Sequence, residues 1–142
     1  MSLTHLFDST VSNVLLVAIF VVGSLAIWEL IKLYKSTTKL WTLEEMKADE
    51  RLLLACADKV YDVSSNAQMY GPGTTYNVFI GKDASVALAK MQFDEEFFNT
   101  SEYHWSQLNE EETKILGDWI RKFDGKYPIV GRLNTKVSAK SD

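Results

Sequence analysis

Tyr70-Gly-Pro-Gly-Thr-Thr-Tyr76-Asn-Val-Phe-Ile-Gly-Lys-Asp83-Ala-Ser85 is the stretch on which the reading of this chain turns. Two tyrosines flank a tight turn in which Pro72 presets φ and Gly73 permits a positive φ. After Phe79 the run Gly81-Lys-Asp83-Ala-Ser85 opens a new helix, with Asp83 placed to cap a segment through Val86, Leu88 and Ala89.

Working outward, Trp41-Thr42-Leu-Glu-Glu45 carries a capping box, Thr42 with Glu45 three residues on, and predicts a short helix ending near Lys47. Leu52–Cys56 and Lys59–Val63 are short apolar runs separated by Ala57-Asp58, which reads as a β-hairpin stopped by Ser64-Ser65-Asn66. Downstream, Asp94 can cap a short helix through Phe97. Asn109 opens the clearest helix with a second capping box to Glu112. Ile115, Leu116, Trp119, Ile120 and Phe123 form its apolar face, and Gly125 is expected to end it. Glu110–Glu112 in its first turn and Arg121-Lys122 in its last complement the helix dipole. Tyr127-Pro-Ile-Val130 then reads as an edge strand, because Pro128 cannot donate to a ladder. The polar segment 134–142 reads as a tail. Helix, hairpin, helices, long helix and strand suit a small α+β domain, a sheet carrying a helical cup.

Ahead of this domain, residues 11–33 form an apolar run long enough, at about 1.5 Å per residue, to cross roughly 30 Å of hydrocarbon. Trp28 and Tyr34 suit the interface. Residues 1–10 carry no Lys or Arg, which argues for a retained span rather than a cleaved signal. Lys32, Lys35 and Lys39 follow the span, so the positive-inside rule predicts a cytosolic C-terminal domain and a short non-cytosolic N-terminus of residues 1–10. Residues 34–40 read as a polar tether, and 41–133 as the folded domain.

The net charge of −4 argues against nucleic acid, which calls for a basic footprint. With one cysteine no intrachain disulfide can form, and Cys56, inside Leu52-Leu-Leu-Ala-Cys56, reads as a buried apolar residue. There is no Ser-His-Asp set, phosphate-binding glycine loop or zinc spacing. From Met91 to Thr113 runs an acidic stretch without Lys or Arg, which fits solvated helix starts and equally a face for a basic redox partner.

The register of Tyr-Gly-Pro, the second tyrosine, Val-Phe-x-Gly and Lys-Asp-Ala-Ser resembles the haem pocket of the membrane-associated progesterone receptor family, a branch of the cytochrome b5-like fold. The resemblance covers about Trp41 to Leu133, with Thr75 where members carry proline and Asn77 where small residues are common. It implies a cytochrome b5-like domain behind one transmembrane helix, with haem b bound and its iron held by the Tyr76 oxygen. Tyr70 would donate a hydrogen bond to that oxygen. Lys126 and Tyr127 match the Lys-Tyr pair closing the other side of the pocket, and Lys126 could pair with a propionate. Asp83 would shape the pocket wall as a helix cap. Bis-histidine ligation within one chain is excluded, since His104 alone lies in the domain and His5 precedes the span.

The same resemblance implies a haem-binding protein with no turnover of its own, working beside haem-thiolate monooxygenases or their reductase, with a sterol-like ligand and a second copy of the chain as further partners. Membrane lipid holds the span, and the endoplasmic reticulum is the expected membrane. Two other readings stand beside this one. A haem-free accessory subunit of a larger membrane complex, mitochondrial for instance, would show no Soret band. An electron-transfer protein using His104 as second ligand would give a low-spin ferric spectrum.

Overall fold

The computed structural model describes residues 3–100 and 107–135. His104 and the tail beyond Thr135, both assigned roles above, lie outside the described residues. The chain divides into two compact units, Met1–Lys35 and Ser36–Asp142. The first is helical: α1 runs Leu3–Thr38 without a proline. Within it Asp8–Lys35 holds an apolar window of mean hydropathy 2.6, none of it buried, so the segment is long and apolar enough to cross a membrane. Ser24, in the middle of the apolar run, returns its hydroxyl to the Phe20 carbonyl at 2.8 Å, leaving no loose donor there.

Most of the expected tether 34–40 is helical. Nothing between Tyr34 and Thr38 breaks a helix, so α1 continues to Thr38, and Leu40 already belongs to a strand, β1 (Leu40–Trp41). Then come α2 (Leu43–Ala48), β2 (Leu53–Cys56), β3 (Lys59–Asp62), α3 (Ala67–Tyr70), α4 (Ser85–Lys90), α5 (Glu110–Lys126) and β4 (Ile129–Leu133), with 3₁₀ turns at Ser64–Asn66, Thr75–Phe79 and Glu95–Phe97. Both capping boxes form as expected, at Thr42/Glu45 and Asn109/Glu112. The hairpin also forms: Leu53 pairs with Asp62 and Cys56 with Lys59, across a two-residue turn whose Ala57 and Asp58 both take positive φ (48° and 66°).

Three local expectations are corrected. The position capping α4 is Ala84, and the Asp83 carboxylate instead accepts from the Ser85 backbone N–H (3.0 Å) and hydroxyl. Asp94 precedes its short helix without a side-chain capping bond. α5 runs past Gly125 to Lys126, because the Tyr127 N–H still reaches the Phe123 carbonyl at 2.9 Å.

The last strand differs most. Sheet order is β1-β4-β3-β2, so β4 is an interior strand and not an edge. Pro128 stands just before it, where no ladder donor is needed, and its carbonyl accepts from Asp62 N–H at 3.1 Å. β1 supplies the missing neighbour, pairing in parallel through Leu40↔Arg132 and Trp41↔Leu133. Opposite β3 the register slips, Val60 facing Gly131 and Tyr61 facing Ile129, so Val130 is an extra, bulged residue. The Trp41 indole N–H donates to the Val130 carbonyl at 3.0 Å and satisfies the group the bulge releases.

All four residues of β2 are buried, because the sheet is covered on both faces. Leu53, Ala55, Val60, Val130 and Leu133 pack with Trp41 and Met46 on one side. Leu54, Cys56, Tyr61 and Val63 pack on the other with Tyr70, Phe79, Leu88, Phe123 and Tyr127. The alternation of the hairpin thus puts its odd and even members into two cores, and the tyrosine stretch into the second. Cys56 is fully buried there, and burial pushes its thiol pKa well up.

Gly131 sits at φ +150°, and a Cβ there would lie 2.3 Å from the Lys39 carbonyl oxygen and 2.7 Å from the Trp41 ring. Neither can retreat without breaking the β1–β4 pairing. Gly131→Ala should therefore cost about 3 kcal/mol from overpacking and backbone strain. The measurement is the urea midpoint of the full chain in mild detergent, expected to fall at unchanged slope.

Candidate functional site

α3 is a single turn, and its last residue, Tyr70, is 2% exposed. The chain leaves it through Gly71 and Pro72 and reverses at Gly73, which takes φ +80°. Side chains lock this reversal. The Thr74 hydroxyl donates across the turn to the Met69 and Gly71 carbonyls (2.6 and 2.7 Å), and the Asn77 amide donates to the Tyr70 carbonyl at 2.8 Å. Asn77 therefore holds the turn by its side chain.

The 3₁₀ turn Thr75–Phe79 then sets the second tyrosine. Residues three apart eclipse in this geometry, so the Tyr76 ring lies flat on Phe79, centroids 5.4 Å apart and planes at 14°. Phe93 stands edge-on behind both rings, 6.3 Å from Tyr76 and 5.1 Å from Phe79. Tyr76 remains half-buried, and with Gln68, Met69, Gly73, Thr74 and Thr75 it lines an open cleft of about 540 Å³. A larger groove of about 700 Å³ follows the outer face of α5, between Glu110 and Arg121. It gathers none of the cofactor-site residues expected from the sequence, so the smaller cleft, with Tyr76 on its wall, is the candidate.

Three tyrosines meet behind the cleft. Tyr70 lies 6.1 Å from Tyr76 and 6.0 Å from Tyr127 between ring centroids, edge-on to the latter. Tyr127 is 5% exposed, and its hydroxyl accepts from the Asn66 amide at 3.1 Å. Burial raises the Tyr70 pKa well above the phenol range, and the charge of and hydrogen bond with Tyr127, then the Tyr76 phenol, add to the rise. Tyr70 is thus held as a neutral phenol able to donate. Lys126 is exposed, its ammonium 5.4 Å from the Tyr127 ring centroid. Asp83 is spent on structure: its carboxylate is bonded to Ser85 and its backbone to Asn99, while its neighbours Lys82 and Ala84 bond the Ala55 backbone.

The structure therefore brings Tyr70, Tyr76 and Tyr127 together, leaves Lys126 at the surface and uses Asp83 as a turn. Thr74 carried no signal in the sequence, Asn77 stood out only as a departure from the family pattern, and Ser64-Ser65-Asn66 carried only a strand-stop signal. Phe79 and Phe93 could have been found, since a buried aromatic wall normally accompanies a tyrosine that must hold one orientation. Among the described residues no cluster of three or more His, Cys, Asp or Glu could hold a metal ion. The iron ligand type that the cleft does offer is the phenol oxygen of Tyr76, which is compatible with haem.

A four-stranded mixed sheet with a helical cup over a tyrosine-lined cleft defines the cytochrome b5-like class. The chain belongs to the family described as "Cytochrome b5-like Heme/Steroid binding domain", whose model matches residues 39–134. It is similar to "Cytochrome P450 regulator dap1" of Schizosaccharomyces pombe (42% identical, 63% of this chain and 57% of that one). It also resembles "Membrane steroid-binding protein 2" of Arabidopsis thaliana, at 42% identity over 67% of this chain and 42% of the relative. "Membrane-associated progesterone receptor component 2" of Rattus norvegicus is 37% identical, over 58% of this chain and 38% of that one. The matched segment thus spans little more than half, or less, of these three relatives. Among solved structures, an Arabidopsis thaliana protein titled as having a cytochrome b5 like fold matches with TM-score 0.57 and 36% identity, over 68% of this chain and 91% of that one. The branch inferred from the tyrosine register is the one to which these relatives belong.

Burial drives up the pKa of Tyr61 as well as that of Tyr70, with the Asp124 carboxylate next in effect at Tyr61. Below about pH 10 the phenols are neutral in both folded and unfolded chains. As pH rises further, the unfolded phenols ionise and the folded ones resist, so stability is lost on the alkaline side. Phenolate absorbance should therefore reveal two tyrosines that titrate only with unfolding. Tyr70→Phe should flatten the fall of stability between about pH 10 and 12.

Proposed function

We propose that this protein binds haem in the Tyr70–Tyr76 cleft, with the Tyr76 oxygen as the iron ligand. The observation that carries this reading is Tyr76 itself: half-buried, stacked on Phe79, on the wall of a cleft whose volume lies in the range of small-molecule and cofactor pockets. Binding ferric iron drives the phenol to phenolate, as metal binding does to ligands generally. An anionic oxygen favours ferric over ferrous iron, which suits holding or delivering haem better than rapid electron shuttling. Tyr70, kept protonated by its surroundings, is positioned to moderate the ligand's basicity. Tyr127, held by Asn66, packs on Tyr70, and the exposed Lys126 beside Tyr127 is a cation suited to pairing with an anionic substituent.

The apolar helix and the membrane steroid-binding names of relatives support a membrane-anchored protein, and Lys32, Lys35 and Lys39 after the span favour a cytosolic haem domain, with the endoplasmic reticulum as the proposed membrane. The relative named as a cytochrome P450 regulator supports a role beside haem-thiolate monooxygenases, without turnover of the chain's own, and the steroid-binding names support a sterol-like ligand.

Titration of the full chain in detergent with haemin tests the core of this reading. The wild-type chain should give a high-spin ferric spectrum at one haem per chain. Tyr76→Phe should lose affinity by more than the roughly 10–100-fold typical of removing a supporting partner, and Tyr70→Phe should fall within that range. A wild-type chain that stays colourless overturns the proposal and leaves the haem-free accessory subunit.

A further inference from the structure

Aromatic rings run without interruption from the cleft through the core to a carboxylate. Tyr76, Tyr70 and Tyr127 follow one another at 6.1 and 6.0 Å, Phe123 lies 6.0 Å beyond Tyr127, and Tyr61 lies 5.2 Å beyond Phe123. At the far end the Tyr61 hydroxyl donates to Asp124 Oδ1 at 2.8 Å, and Lys59 holds the same carboxylate at 2.8 Å. Tyr61 and Phe123 are fully buried, so neither ring meets a diffusing reductant directly, while the Asp124 carboxylate is partly open to solvent. A branch leads outward, since the half-buried Trp119 stacks 5.7 Å from Phe123.

Packing alone would be served by any large apolar side chain. Phenols at four stations, with the last one bonded to a proton acceptor, have a second property. Oxidising a buried phenol requires its proton to leave with the electron, because a buried cation radical is costly. Tyr61 has that acceptor in place. We propose that Tyr61, paired with Asp124, is the terminus of an aromatic relay that draws one-electron oxidising equivalents away from the Tyr76 cleft. Its cleft end rests on the haem reading above. When a peroxide acting in the cleft leaves Tyr76 one electron short as a neutral phenoxyl, Tyr76 regains an electron through Tyr70, Tyr127 and Phe123 and becomes phenolate. Tyr61 supplies that electron and becomes the phenoxyl, and its proton passes to the Asp124 carboxylate. Charge and atoms balance, and the oxidised site moves from the cleft to the buried Tyr61, whose proton acceptor Asp124 stands 63 residues away in sequence.

The inner half of the relay can be tested with no haem present, so its failure and that of Tyr76 ligation are distinguishable. Azide radicals generated by pulse radiolysis oxidise exposed indoles of the haem-free full chain in detergent. Indolyl absorption should decay in a first-order phase matched by rising phenoxyl absorption, at a rate independent of protein concentration and slowed in D₂O. Trp119→Phe should remove this phase, and Trp28→Phe should leave it. Phe123→Leu should slow it by an order of magnitude or more, and Asp124→Asn should slow it and abolish the isotope effect. Freeze-quenched electron paramagnetic resonance should lose its principal phenoxyl signal in Tyr61→Phe, a change that removes one hydroxyl and keeps the packing. A rate proportional to protein concentration overturns the proposal, as does a phenoxyl signal unchanged in folded Tyr61→Phe.

Discussion

The neutral, buried phenol of Tyr70 is the constraint around which this domain is arranged. A phenol at 2% exposure must find polar company or forfeit its solvation. That company is Tyr127 at the end of α5, whose hydroxyl Asn66 holds from the turn after the hairpin, while Asn77 from beyond the reversal holds the Tyr70 carbonyl. Hairpin, α3, the 3₁₀ turn and α5 are thereby brought to one point. Tyr76 inherits its place from this arrangement, since the turn leaving Tyr70 delivers it onto Phe79.

Much of this was legible in the residues. Two capping boxes, an apolar hairpin and a helical stripe are short-range signals, and each appears where its chemistry requires. The register of the two tyrosines announced the site. What sequence could not show depends on contacts far apart along the chain. β1 is two residues long and has meaning only because β4 pairs with it. Pro128 suggested an edge, whereas the proline stands one residue short of a strand that is covered on both sides. The Asn66–Tyr127 bond joins residues 61 apart, and no pattern within either segment marks it.

The acidic stretch shows how charge divides between structure and surface. Glu112 is bonded to Lys90 at 2.6 Å, with both side chains largely covered, and so ties α5 to α4. Glu95 meets Lys82 at 2.7 Å but is 77% exposed, a pairing worth little in water. Glu110 and Glu111 remain solvated at the start of α5, where the helix dipole favours them. Helix starts thus account for part of the negative charge, and the solvated remainder is what a basic partner would meet.

Cys56 ends the outer strand β2, yet it has no exposed surface and a thiol that burial keeps protonated. A native chain offers alkylating reagents nothing to attack, while an opened one offers a single sulfur. The molecule therefore carries its own gauge of core opening: the pace at which one mass tag is acquired reports how often β2 comes loose.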